Sequence, residues 1–192
     1  MKLELSPTFR NLVKISLFVL SLMLTNKATA EQGMIDDFKN KPETRWKFIA
    51  DTVMGGVSTG QLTFSIDGDE KFARMTGKVS TENNGGFIQF RRYILNGLPA
   101  SAKGLQLSVR GNGQTYFVHI RTKGTFLPWQ YYHHSFTVGP NWSQVKTLIK
   151  EFRPSGLLLR KTIKPASITS IAIVAFGRDH DAEIDVKAIS FF

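Results

Sequence analysis

Apolar residues recur at every second position over long stretches of this chain, and that period restricts the fold more than any other feature. Leu62, Phe64 and Ile66 alternate with Gln61, Thr63, Ser65 and Asp67. Leu105, Leu107 and Val109 alternate with Gln106, Ser108 and Arg110, and Tyr116, Val118 and Ile120 with Phe117, His119 and Arg121. Successive side chains of a strand point to opposite faces, so a period of two marks strands with one face buried. Ile168 to Phe176 is apolar at nearly every position, the pattern of a central strand covered on both sides. A last strand from about Ile184 to Phe192 changes phase between Val186 and Ile189, which predicts a bulge.

Turn signals separate these runs: Asp67-Gly68, Asn84-Gly85-Gly86, Asn96-Gly97, Gly111-Asn112-Gly113 and Gly139-Pro140. Gly111-Asn112-Gly113, between two alternating runs, predicts a tight hairpin. Ser143 to Phe152 reads either as a short helix or as an extended segment, and no longer amphipathic helix is evident. Many short strands at roughly ten-residue spacing imply an all-β sandwich or barrel. The polar stretch Glu31 to Glu43 reads as a loose arm before a first strand near Trp46. One domain is expected, with its core from about residue 34 to 192.

The N-terminus has a different character. Lys2, Arg10 and Lys14 precede an apolar run from Ile15 to Leu24, and Ala28-Thr29-Ala30 follows. This is the layout of a secretory signal peptide over residues 1–30, with cleavage after Ala30 and a periplasmic destination. An uncleaved N-terminal anchor is the alternative. The run is shorter than the roughly 20 residues a spanning helix needs.

The chain has no cysteine, which excludes disulfides, a thiol nucleophile and cysteine-bound metals. Its net charge is +10, of which about +7 lies beyond the leader. That favours a soluble mature form with loose attraction to anionic surfaces. The basic residues are scattered, with Arg91-Arg92 and Arg160-Lys161 the tight pairs beyond the leader, and nothing resembles a nucleic-acid recognition helix.

Two segments combine polar side chains with paired glycines. The first contains Asp51, Met54, Gly55, Gly56 and Ser58; the second contains Glu82, Asn83, Asn84, Gly85 and Gly86. Paired glycines admit positive φ and close approach of another group. The segments therefore read either as tight corners whose side chains satisfy buried backbone groups, or as neighbours on one rim that lines a binding site. Neither carries the lysine of a phosphate loop. Trp129 and Tyr132, in an aromatic segment with Phe126 and Tyr131, are the candidates for a binding face.

Catalytic and metal chemistry find little support. His133 and His134 are adjacent and would face opposite ways on a strand, so they cannot chelate one metal together. The acidic stretch Asp179, Asp181, Glu183 and Asp185 has oxygen ligands of the kind calcium takes, yet it lacks an EF-hand pattern. Asp51 and Glu82 are the one carboxylate pair to examine for glycoside hydrolysis. No cofactor is implied.

The phrase Asp51-Thr52-Val53-Met54-Gly55-Gly56-Val57-Ser58, soon after Trp46, resembles the opening signature of the complex I intermediate-associated protein 30 family. Glu82-Asn83-Asn84-Gly85-Gly86-Phe87 resembles its second signature. Arg110 to Tyr116, Trp142, Phe152-Arg153-Pro154 and the tail Ile171 to Ile189 continue the order. The resemblance implies a galactose-binding-like jelly-roll sandwich and a non-catalytic role. Eukaryotic members act as assembly chaperones of respiratory complex I, on the matrix side. An exported copy would sit across the membrane from that arm, so the expectation is a protein partner of another kind. A carbohydrate-binding module of the envelope is the alternative, and a glycan-active enzyme the third reading. Asn112 stands where family members often carry Asp.

Overall fold

The computed structural model describes residues 33–192, so the leader expected over residues 1–30 lies outside the described residues. Ile35–Phe192 forms one compact unit. Its strands are, in chain order, β1 (Met34–Asp36), β2 (Trp46–Ala50), β3 (Thr59–Asp67), β4 (Glu70–Val79), β5 (Phe87–Tyr93) and β6 (Gly104–Gly111). They continue with β7 (Thr115–Thr122), β8 (Tyr132–Thr137), β9 (Ser143–Leu148), β10 (Arg153–Pro154), β11 (Ile168–Phe176) and β12 (His180–Phe191). The other regular segments among the described residues are single 3-10 turns.

The strands make two antiparallel sheets, a sandwich rather than a barrel, with the jelly-roll form that the family resemblance implies. The first sheet runs β3-β4-β12-β6-β9, with β1 also paired to β12. The second runs β10-β8-β7-β11-β5-β2. Alternate residues of each sheet meet between them: Met75, Leu105, Leu107, Ile184 and Val186 from the first; Trp46, Ile88, Phe90, Tyr116, Ile120, Ile171 and Ile173 from the second. Each large side chain so buried contributes roughly 1.5–3 kcal/mol. The phase change of the last strand appears as a register shift between Val186 and Ala188.

Two expectations are corrected, and the open choice for Ser143 to Phe152 falls on its extended reading. Gly111-Asn112-Gly113 is not a hairpin, because β6 pairs within the first sheet and β7 within the second. The turn carries the chain between sheets. There Asn112 accepts from the Tyr116 hydroxyl (2.8 Å) and donates to the Asp181 carbonyl (2.8 Å). Burial raises the Tyr116 hydroxyl to about 12, so it stays a protonated donor. Ser143 to Phe152 is strand β9 followed by one 3-10 turn, not a helix. From Asp36 onward the polar N-terminal stretch is not a loose arm. Buried Asp36 accepts from Phe38 N–H (2.8 Å), Trp46 Nε1 (2.9 Å) and Arg45 Nε (3.0 Å), and it also pairs with Arg92. Phe38, held in this way, stacks on Trp46 at 5.4 Å.

The outer faces of the two sheets differ. On the first, Asp185 pairs with both Arg74 (2.7 Å) and Arg110 (2.8 Å), and Arg110 lies over Trp142 at 4.6 Å. Lys187 of that face likewise pairs with Glu70 (3.0 Å). The second sheet leaves its outer face open, and the candidate site lies there.

Candidate functional site

The two glycine-rich segments meet around one carboxylate. Asp51 is fully buried and opens the 3-10 turn Asp51–Met54. Its Oδ1 accepts from Ser58 N–H (2.9 Å). Its Oδ2 accepts from the Ser58 hydroxyl (2.5 Å), Gly86 N–H (2.5 Å) and Phe87 N–H (3.2 Å). Burial pushes this carboxyl upward, but the donors of Ser58, Gly86 and Phe87 outweigh it and hold it below the usual 3.8. A Cβ on Gly56 would stand 2.5 Å from Asp51 Oδ1, and one on Gly85 2.5 Å from Oδ2. Gly55 and Gly86 instead hold φ of 91° and 120°. In each pair, one glycine makes room for the carboxylate and the other supplies the left-handed backbone.

Beside this clasp a groove of about 410 Å³ crosses the outer face of the second sheet. Its floor follows from the strand register. His119, Ala172 and Arg91 stand side by side across β7, β11 and β5. Val174 and Gln89 form the next row. Apolar β11 therefore is covered on both faces, by the core on one side and by these neighbours on the other. Met54, Asn84 and Gly85 bound the groove at the clasp end, and Pro128, Trp129, Tyr131 and Ser155 at the other.

The floor is rich in rings. Tyr131 stacks on His119 at 4.1 Å and 10°, and Phe176 meets His119 edge-on at 5.8 Å. Burial, with a smaller push from His133, lowers His119 to about 3, so the imidazole is neutral at pH 7. Its Nε2 is buried and has no hydrogen-bond partner among the described residues. Trp129 stands 62% exposed on a loop that is held in place. Arg121 donates to the carbonyls of Thr125 (3.1 Å), Leu127 (3.0 Å) and Pro128 (2.9 Å), and the Ser155 hydroxyl donates to that of Trp129 (3.1 Å). Exposed Val53, Met54, Phe126, Leu127, Leu157 and Leu158 add apolar surface on segments that reach or adjoin the groove.

Of the residues singled out from sequence, Met54, Asn84, Gly85 and Trp129 line this groove. Asp51 and Ser58 are buried, and Gly56 and Gly86 pack against or donate to Asp51, so these four serve the clasp. Gly55, Glu82 and Asn83 are exposed but do not line the groove. The Asp51–Glu82 pair does not face a cleft, because both Asp51 oxygens are filled from within. Tyr132 is corrected outright. It is 3% exposed in the core, and Tyr131, one residue earlier and so on the opposite face, takes the groove. Sequence reasoning missed Gln89, Arg91, His119 and Phe176 as a group. The available signal was parity, since each lies on the face opposite to a core position of its strand. Among the described residues no cluster of three His, Asp or Glu side chains is placed to hold a metal.

The family model described as complex I intermediate-associated protein 30 matches residues 36–186. The chain belongs to that family. No protein of curated function matches it at the sequence level. Among solved structures, this complex I intermediate-associated protein 30 domain is similar to a family 11 carbohydrate-binding module from Clostridium thermocellum in complex with a β-1,3-1,4-mixed-linked tetrasaccharide. The TM-score is 0.67 at 13% identity, over 83% of this chain and 94% of that one. It is similar to the family 11 module of a cellulosomal cellulase of the same organism, with TM-score 0.66 at 12% identity over 83% and 92%. Part of an exo-β-agarase matches with TM-score 0.57 at 10% identity, over 83% of this chain and 24% of that one. At these identities the likeness establishes the fold.

Proposed function

We propose that this family member is an exported, non-catalytic binding protein that holds a protein partner across the groove of the second sheet. The observation that carries the reading is the ring-floored groove lined by exposed Met54 and Trp129, with exposed Leu127 on the adjoining loop. Contiguous exposed apolar surface beside a concave face is the usual mark of a partner site, and aromatic anchors dominate such interfaces. The groove lining has no carboxylate, which disfavours acid–base hydrolysis there. Membership of a family named for an assembly intermediate of complex I supports a chaperone-like role. Export rests on the basic, apolar and small-residue order of residues 1–30.

The test is a photo-crosslinking residue at Trp129 or Asn84 in the full chain in its native host, with one at exposed Ile66 on β3 as control. A dominant protein adduct from the two groove positions and none from Ile66 is expected. No protein adduct from a folded, exported chain would defeat the reading. The mass of the mature protein checks cleavage after Ala30.

A second reading is favoured by one observation. The Tyr131 ring, backed by the His119 ring stacked on it, offers a sugar a flat face in the groove. The likeness to carbohydrate-binding modules accords with it. A panel of neutral and acidic oligosaccharides, titrated against the wild type and Tyr131→Ala, tests it.

A further inference from the structure

The groove is one-sided in charge. Arg91, Arg121 and the neutral His119 are its Arg, Lys or His residues, and neither Asp nor Glu lines it. Arg121 is held by loop carbonyls, which satisfy its donors without neutralising it. Arg91 lies over the Tyr93 ring at 5.4 Å and has neither a hydrogen-bond acceptor nor a carboxylate partner among the described residues. Burial and, next, the charge of Arg91 lower the proton affinity of Arg121, so the two guanidinium groups repel across the groove. On the same sheet face a second hollow, of about 690 Å³, adds Lys150, Arg153 and Lys161 against the single carboxylate of Glu151, and that carboxylate already faces His134 at 3.6 Å. On the first sheet, by contrast, Arg74 and Arg110 both pair with Asp185.

We propose that the partner enters the groove as an extended, carboxylate-bearing polypeptide segment, with an acidic side chain received by Arg91 and apolar side chains laid against Trp129 and Met54. This rests on the protein-partner reading and names the chemistry of the segment. A guanidinium presents paired donors that match a carboxylate, and such charge-assisted bonds are among the stronger ones. An anion here would also relieve the Arg91–Arg121 repulsion. Exposed Met54 on the rim suits an apolar side chain of a polypeptide, whereas a sugar ring gains no stacking face from it.

The probe is a random twelve-residue peptide library selected on the immobilised full chain. Selected peptides are then titrated by fluorescence anisotropy at low and high salt against the wild type, Arg91→Gln and Trp129→Ala, each first shown to unfold at the wild-type temperature. Enrichment of Asp and Glu beside aromatic or aliphatic residues is expected. Arg91→Gln should weaken those peptides about tenfold or more and flatten their salt dependence, while Trp129→Ala weakens every binder. Neutral or basic binders indifferent to Arg91→Gln but weakened by Trp129→Ala would overturn the acidic segment and leave the protein-partner reading standing. No peptide enrichment, with or without binding of a uronate oligosaccharide, would overturn both.

Discussion

Asp51→Asn separates a structural clasp from a binding residue. The carboxylate takes four donors on two oxygens, three of them backbone N–H groups. An amide has one acceptor oxygen and presents N–H on its other side. Turned one way it opposes the Gly86 and Phe87 N–H groups, and turned the other it opposes that of Ser58. The cheaper orientation orphans one buried donor, at about 1–3 kcal/mol, and weakens the remaining bonds from charged to neutral, at several tenths each. The expected loss is about 2–4 kcal/mol, a large fraction of the roughly 5–15 kcal/mol of a domain. Asp51→Ala should cost more, because it removes the acceptor of all three backbone N–H groups, while the Ser58 hydroxyl keeps the Ser80 carbonyl.

The assay is urea unfolding at pH 7, with surface Glu82→Gln as control, expected within about 0.5 kcal/mol of wild type. The pH dependence adds a second check. Asp51 titrates below its unfolded value of 3.8, so its contribution is complete above that value and is lost as pH falls through the folded one. The gap between wild type and Asp51→Asn should therefore close in acid. An Asp51→Asn protein of wild-type stability that no longer binds its ligand would refute the clasp and return Asp51 to the binding site.

The remaining predictions concern the groove and the room around the clasp. His119 has a folded value of about 3 against 6.5 unfolded, so the folded state refuses a proton that the unfolded state accepts between them. Wild-type stability should fall relative to His119→Phe by about 1.4 kcal/mol per pH unit below 6.5, which equilibrium unfolding from pH 7 to 4.5 would register; parallel curves would refute it. Gly85→Ala drives a Cβ to 2.5 Å from Asp51 Oδ2 and should cost about 1–3 kcal/mol in chemical unfolding. Trp129→Ala should leave the unfolding midpoint unchanged and weaken binding, whereas Tyr132→Ala should cost about 3–5 kcal/mol by emptying core volume, a contrast that calorimetry alone can read.

Much of this protein was legible in its residues. A period of two in Leu105–Val109 and Tyr116–Ile120 depends on backbone geometry alone, and it specified strands, and an all-β sandwich or barrel, before any partner strand was known. The unbroken apolar run of β11 specified a central strand with both faces covered. The two glycine signatures identified the family, because a buried carboxylate with glycine on either side tolerates few substitutions. Tertiary structure alone decided the rest. Period two says that Tyr131 and Tyr132 face opposite ways but not which faces the core, and a one-residue error moves the binding candidate to the wrong side. Gly111-Asn112-Gly113 has the local chemistry of a hairpin, yet strand pairing is non-local and sent its two arms to different sheets. The groove joins Arg91, His119 and Phe176, which lie far apart in the chain, through the register of three strands. Only folding sets them side by side, because that register follows from burying the opposite face of each strand.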